Sequence, residues 1–457
     1  MAVYMSTMTS DLYAHGRSDP EYYLPNHTEV EAKLTSLETV PLRKLGSFSC
    51  SAFYPAATHL YSEGGMPFLR CVDIINYPLI SDDQPFARIP KTFVYSHSSI
   101  RSLSAGDIVI SKVGTPCYAS LLADDMPEAA MTRTVLGMSS INKEIVNPFY
   151  LIAFLRSRYG FDQLMRQREL TIQYQLTLER TRKVRVLIPD RSIQDDIGDD
   201  IKAYFQHMRS SKMAYEQAQH LLESELGLDK LNFQKPVGYT ARFSTIGLSD
   251  TFTSGRIDAQ CFAPDAVFYQ TWLREHASCD RLANLLVEMV KGRQQTETDS
   301  GSTDYCSIKH ISGHELTGVS KCYPAMDTPL AVQDDLLLAI TGATIGKIGI
   351  VKRYQKLAFC GDLLCFRVNS RIDPHYLLVV LDHLIGQVQF NRWITGSTNG
   401  HLAPRDVRRV LVPRLNADIE TRISGLIEES LKKRVESEAL LTQAKSRVEQ
   451  LIEEATQ

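Results

Sequence analysis

Residues 193–228 read IQDDIGDDIKAYFQHMRSSKMAYEQAQHLLESELGL, with apolar side chains at Ile193, Ile197, Ile201, Tyr204, Met208, Tyr215, Ala218, Leu222 and Leu226. Steps of three and four align these positions as one stripe on a helix whose remaining faces are charged. Such a helix would run roughly 55 Å at about 1.5 Å per residue, more than one core needs. It therefore requires a partner of similar length. Residues 419–455 supply one, with a seam at Ile423, Ile427, Leu441, Ala444, Val448, Leu451 and Ala455. Ser430, Arg434 and Ser437 interrupt that second seam, and the interruption is expected to be exposed or to face a partner subunit.

The rest of the chain alternates short β-patterned runs with helical ones, and it does so twice. Arg17-Ser-Asp-Pro-Glu-Tyr-Tyr-Leu-Pro25 matches Arg256-Ile-Asp-Ala-Gln-Cys-Phe-Ala-Pro264. FLRCVDI from Phe68 matches YCSIKHI from Tyr305, and GDIVISKVGT from Gly106 matches DDLLLAITGA from Asp334. NPFYLIAFL from Asn147 matches DPHYLLVVL from Asp373, and VLIP from Val186 matches VLVP from Val410. The separation drifts from 239 (Arg17 to Arg256) to 224 (Val186 to Val410) without a change of order, as in a diverged duplication. Within each copy, strands are expected at 68–74 and 107–113, and at 336–340 and 347–352. A helix follows where Asn147 or Asp373 can cap and Pro occupies the first position. A strand ending in Pro and the long helix come last. Residues 291–304, almost without apolar side chains, are expected to be a surface loop, and residues 229–255 a linker into the second copy.

Length suggests roughly two to four units. Hydrophobic content of 44% and charged content of 23% are those of a globular protein. No apolar run reaches the span of a bilayer, so no membrane segment is expected. The start of the sequence lacks the basic-then-apolar pattern of a secretory signal and reads as a short, loosely held tail. Nine dispersed Cys residues without a CxxC pair point to reduced thiols in a cytoplasm. A net charge of −3 requires any nucleic-acid surface to be local.

Several motifs invite catalytic readings. Asn147-Pro-Phe-Tyr150 looks like the active-site motif of amino-methyltransferases, which would make the chain a self-contained N6-adenine methyltransferase. Its counterpart is Asp373-Pro-His-Tyr376, both precede apolar helical faces, and no glycine-rich turn for S-adenosylmethionine accompanies them; helix capping is the better account. Gly342-Ala-Thr-Ile-Gly346-Lys347-Ile348 resembles a phosphate-binding loop but is one residue short between its glycines and lacks Ser or Thr after Lys. A tight turn is expected instead. Cys306, His310, His314 and Cys322 lack the paired spacing zinc prefers, although His310 and His314 could share a helix face.

Basic residues gather before each Pro-ending strand: Arg180, Arg182, Lys183 and Arg185, then Arg405, Arg408 and Arg409. Turn-prone polar stretches precede them, Thr171-Ile-Gln-Tyr-Gln175 and Gly396-Ser-Thr-Asn-Gly400. Arg and Lys suit phosphates, while Gln and Asn can pair bidentately with adenine. A solvated charged face would explain one such cluster; its recurrence in both copies points toward DNA.

At this point the chain resembles the specificity subunit of type I restriction-modification systems over nearly its whole length. The family's strand-turn, Gly-Asp-Ile-Leu-x-x-x-x-Gly-Ala-Thr-Ile-Gly, is similar to residues 334–346. The first copy keeps Gly106-Asp107-Ile108 and Gly114-Thr115 but has Pro116-Cys117 next. Residues 396–402 also fit, with 170–178 as a weaker match. The resemblance implies an α+β fold: a tandem duplication of a mixed, β-rich target-recognition domain, each followed by a long helix, the two helices forming an antiparallel coiled-coil-like pair. Its parts would be recognition domain 1 (1–190), a spacer helix (191–228), a linker with recognition domain 2 (229–413), and a second spacer helix (414–457). It implies no chemistry and no cofactor in this chain, which would read a bipartite double-stranded DNA target in host defence against phage and other foreign DNA. Two methyltransferase subunits carrying S-adenosylmethionine and a motor-nuclease restriction subunit would be its partners. Candidate DNA contacts are Lys112, Thr115, Gln173, Gln175, Arg180, Arg182, Thr344, Lys347, Ser397, Thr398, Asn399 and Arg405. A specificity subunit of a related phage-defence system, and a helical scaffold without DNA affinity, are the other readings.

Overall fold

A computed structural model describes residues 16–53, 58–62, 64–75, 77–114, 116–169, 174–240, 256, 258–396 and 399–457. Residues 1–15 of the expected tail and 241–255 of the expected linker lie outside them. The described chain is α+β and falls into two compact units, Met1–Met208 with Val435–Gln457, and Arg209–Arg434. The long helices Arg191–Glu225 and Ala417–Ala455 each contribute to both units.

In the first unit a five-stranded sheet runs in the order Ser47–Cys50, Val135–Ser139, Ile108–Ser111, Ala119–Leu122, Leu79–Ile80. Ile108–Ser111 is buried along its entire length: Ile108, Val109 and Ile110 are apolar, and the Ser111 hydroxyl accepts from the Tyr118 N–H at 2.9 Å. A smaller sheet follows the order Arg88–Ile89, Met66–Leu69, Ala129–Met131, Ser102–Leu103. Thr39–Pro41 pairs with Arg185–Leu187 beside the entry to the first long helix.

The second unit repeats this plan in strand order. Its main sheet runs Leu286–Lys291, Leu363–Val368, Leu336–Ala339, Ile348–Ile350, and its smaller one Ser320–Cys322, Thr303–Cys306, Leu357–Phe359, Leu330–Ala331. Parallel partners Phe68 and Ala130 correspond to Tyr305 and Ala358. Antiparallel partners Leu103 and Ala129 correspond to Ala331 and Leu357. Where the first unit adds Leu79–Ile80, the second has a hairpin of Ile311–Ser312 and Glu315–Leu316. The run from Phe68 is a strand only to Leu69; Cys71–Ile75 is a short helix.

Helices Pro148–Arg156 and Pro374–Asp382 begin as expected, with Asn147 and Asp373 accepting from the backbone N–H groups of Phe149 and His375. Each is broken one residue later, and Ser157 and His383 cap the next helix. Gly160 and Gly386 permit that close break, since a Cβ there would lie 2.1 Å from the Phe154 carbonyl oxygen or 2.4 Å from that of Leu381. Tyr150 donates to the Leu187 carbonyl at 2.8 Å, as Tyr376 does to that of Pro413. Gln163 bonds both backbone groups of Arg185, as Gln389 does those of Leu411. Arg185 therefore corresponds to Leu411, and the match of VLIP with VLVP is out of register by two residues. Buried side chains set this alignment; the proline does not.

In the first unit Ile197, Ile201 and Tyr204 of one long helix share a core with Ala444, Val448 and Ile452 of the other. In the second, Ala218, Leu222 and Leu226 share a core with Ile423, Ile427 and Leu431. Early residues of one helix thus meet late residues of the other in both units, an antiparallel pairing. The second seam runs through Leu431 and Ile452, whereas Ala455 is exposed. Its interruption is neither exposed nor turned outward at the serines: Ser430 and Ser437 are buried, and Ser430 donates to the Ser211 carbonyl at 2.7 Å. Small hydroxyl side chains let the helices approach there while keeping every polar atom of that bond satisfied.

Candidate nucleic-acid interface

Two loops are joined in each copy. In the first, Glu169 and Gln175 exchange backbone hydrogen bonds at 2.8 and 3.3 Å. Gln175 also bridges Val113, and the Leu176 N–H donates to the Lys112 carbonyl at 2.9 Å, so this loop is stitched to the strand-turn after Ile108–Ser111. In the second, Thr395 and His401 exchange bonds at 2.8 and 2.7 Å, His401 bridges Thr341, and the Leu402 N–H donates to the Ile340 carbonyl at 2.9 Å. The geometry recurs although GSTNG and its counterpart share little sequence.

The strand-turn itself explains the departure at Pro116-Cys117. In the second copy Gly342 and Gly346 adopt φ of +70° and +93°, and the Gly346 N–H donates to the Ala339 carbonyl. In the first copy Gly114 has φ +86°, and Cys117, at φ +84°, donates to the Ser111 carbonyl. Cys117 fills the place of the second glycine in a turn one residue shorter, with its thiol buried and pushed well above its ordinary pKa by that burial.

Lys112, Gln175 and Arg180 are brought together at the base of the first loop, where Arg180 is ion-paired with Glu169 at 2.7 Å. Thr344 and Asn399 both lie at the second turn: the Thr344 hydroxyl donates to the Thr341 carbonyl at 3.4 Å, and the Asn399 side-chain oxygen lies 3.5 Å from where a Gly342 Cβ would be. Arg182 is elsewhere, exposed beside the Phe48 ring, and Arg405 is 74% exposed at its side chain next to Asp406. Lys347 bonds the Ile311 carbonyl at 3.1 Å. Thr115, Gln173, Ser397 and Thr398 lie outside the described residues.

An additional pair supports each loop. Arg17 is bidentate to Asp19 and donates to the Arg168 carbonyl; Arg256 is bidentate to Asp258 and donates to that of Ile394 at 3.0 Å. The guanidinium in each case holds its aspartate below the ordinary carboxylate range. The signal was present in sequence as the Arg-x-Asp shared by both copies, but its target, a backbone carbonyl distant along the chain, was not.

The catalytic motifs are engaged in structure. Asn147 caps its helix through its side-chain oxygen and donates to Asp195 at 2.7 Å, and Tyr150 is fully buried. Gly342–Thr344 forms a single 3-10 turn between strands. His310 ends another such turn, its Nδ1 accepting from the Ser307 N–H at 2.9 Å, and His314 pairs with Asp382, so the two do not share a helix face. Among the described residues no group of three or more His, Cys, Asp or Glu side chains could hold a metal, and no helix is long and apolar enough to cross a membrane.

No protein-family model matches this chain, and no curated protein does. Among solved structures it is similar to a type I restriction-modification system S subunit from M. genitalium, at TM-score 0.41 and 11% identity over 92% of this chain and 95% of that one. It is also similar to the HsdS subunit from Thermoanaerobacter tengcongensis, at TM-score 0.30 and 13% identity over 90% and 95%. A third likeness, to the type IIG restriction endonuclease BpuSI, has TM-score 0.32 and 12% identity over 42% of this chain and 30% of that one.

Proposed function

We propose that this chain is the non-catalytic DNA-specificity subunit of a type I restriction-modification system. One observation carries the reading: a duplication preserved pair by pair in the sheets, in which both copies present the same two joined loops and feed antiparallel long helices. A duplicated reader with a paired helical spacer suits a split target with unread bases between its halves. Each copy would read one half-site through its joined loops, with exposed Arg182 and Arg405 suited to phosphates. Methylation and cleavage would belong to partners: two methyltransferase subunits holding S-adenosylmethionine, and a motor-nuclease subunit, acting in the cytoplasm against foreign DNA.

The test is to express the chain with the methyltransferase subunit encoded beside it and sequence the host methylome. A bipartite adenine-methylation motif that vanishes without this chain is expected. Methylation without such a motif would overturn the reading.

A further inference from the structure

The two copies differ where their shared helix ends, and the difference is one of charge. Arg156 closes Pro148–Arg156, and Asp382 occupies the equivalent place in Pro374–Asp382. Arg156 is half-buried among carbonyls: its Nε donates to Ala119 at 2.6 Å, and its two other nitrogens to Ile74 at 2.7 Å and Ile75 at 3.4 Å. Ala119 begins the strand that leaves the first copy's turn. Arg156 therefore fastens that strand, and the short helix Cys71–Ile75, directly to the helical layer.

Asp382 fastens the second copy indirectly. It accepts from the Tyr215 hydroxyl at 2.6 Å and pairs with His314 Nε2 at 2.9 Å, and the His314 ring stacks on Tyr215 at 4.2 Å. Burial pushes the Asp382 carboxyl up, but His314, Tyr215 and neighbouring His383 hold it below its ordinary value. His314 sits at the tip of the hairpin Ile311–Ser312/Glu315–Leu316 at φ +72°. From the second long helix, Arg434 reaches the Gly313 carbonyl and the Ser312 hydroxyl at 3.4 Å, and lies 3.6 Å from buried Glu315. Arg353 lies 3.3 Å from the same carboxylate. Beyond the tip, the His314 carbonyl accepts from the Ile350 N–H at 3.0 Å, and that of Ile311 accepts from Lys347. Gly349 packs closely under the hairpin: a Cβ there would lie 3.1 Å from the Leu316 side chain and 3.2 Å from that of Ile311. The hairpin thus joins Tyr215 and Arg434, on the two long helices, to the strand and turn that carry Thr344 and Lys347.

We propose that His314 is a positioning residue: its hairpin is a lever that sets the second copy's strand-turn against the long helices. Arg156, which stands where the second copy has Asp382, does the corresponding work in the first copy by bonding the carbonyls directly. The role in half-site reading rests on the proposed function; the mechanical role does not.

The test uses the full chain with its methyltransferase partner. H314N suits the site because Asn tolerates left-handed backbone while losing the ring stack on Tyr215 and the Nε2 contact to Asp382. Amide hydrogen exchange is expected to rise at least tenfold at Gly346, Lys347 and Ile350, and to stay unchanged at Leu337 and Leu364 in the same sheet. Y215F, which keeps the ring, should give a smaller local rise. Unchanged exchange at the turn, or an equal rise throughout the sheet, overturns the lever. In a second arm, competition with duplexes altered in one half-site at a time should show discrimination falling about tenfold at one half-site only. Equal loss at both half-sites overturns the positioning role. A wild-type complex without sequence preference sinks the specificity reading instead, while the exchange result still decides the lever.

Discussion

At the residue scale the duplication is held by side chains that hydrogen-bond backbone across long sequence distances. Gln389 is fully buried and serves Leu411 twice and the Ile385 carbonyl once. Replacing it with Ala leaves buried backbone groups unpaired, at a cost of about 2–3 kcal/mol. Gln163→Ala should behave alike, and urea titrations following each unit separately would measure both. His310 gives a pH effect of defined sign. Burial, with neighbouring Lys309, lowers its pKa below 6.5, and its Nδ1 accepts from the Ser307 N–H. The unfolded imidazole therefore binds protons that the folded one refuses, so this contribution is present above pH 6.5 and declines as pH falls through that value. His310→Asn should flatten the fall in denaturation midpoint between about pH 7 and pH 5.5; an unchanged slope would assign it to other groups, buried His27 among them. Six of the thiols, Cys117, Cys261, Cys306, Cys322, Cys360 and Cys365, are buried. Rapid maleimide labelling of the native chain should reach at most Cys50, Cys71 and Cys279. None of these partnerships was legible in sequence, because each joins positions with no local pattern in common.

At the element scale much more was legible. Periodicity gave both long helices, and Pro at the first helical position gave the starts at Pro148 and Pro374. Two errors have physical causes. The run after Phe68 has strand-like composition, but Asp73 accepts from the Arg70 N–H and turns Cys71–Ile75 into a helix. On the second long helix the expected seam extends to Ala455, which is exposed; the first unit's core takes Ile452, with Leu451 packed against its edge. Each helix divides its stabilising contacts, which leads to a separable prediction. Ile452→Ala should destabilise the first unit, and Ile427→Ala the second, by about 2–5 kcal/mol each. Exchange rates of core amides, read unit by unit, would check it.

At the scale of the whole molecule, the internal repeat carried more information than any motif. Collinear matches exposed the duplication even where the loops had diverged, because the backbone bonds that join those loops tolerate many side chains. The same divergence kept individual reading residues out of view. Of the proposed contacts, Arg180 is already paired with Glu169, so a phosphate there competes with a carboxylate. Arg405→Ala should therefore weaken DNA binding more than Arg180→Ala and reduce the salt dependence by about one phosphate contact. The spacer offers a geometric check. Inserting about four residues after Met208 and again after Arg434 adds one turn to each long helix. Under the proposed function, the unread gap of the bipartite motif should lengthen while both half-sites keep their bases.

The discontinuity of the first unit has a consequence in time. Its core needs Ala444, Val448 and Ile452 against Ile197, Ile201 and Tyr204, and residues 209–434 must be translated in between. At about 5–20 residues per second, that is a delay of roughly 10–45 s. The unit synthesised first is thus the last to close, and through that interval a ribosome carries its unfinished apolar stripe as an open invitation to chaperones and proteases.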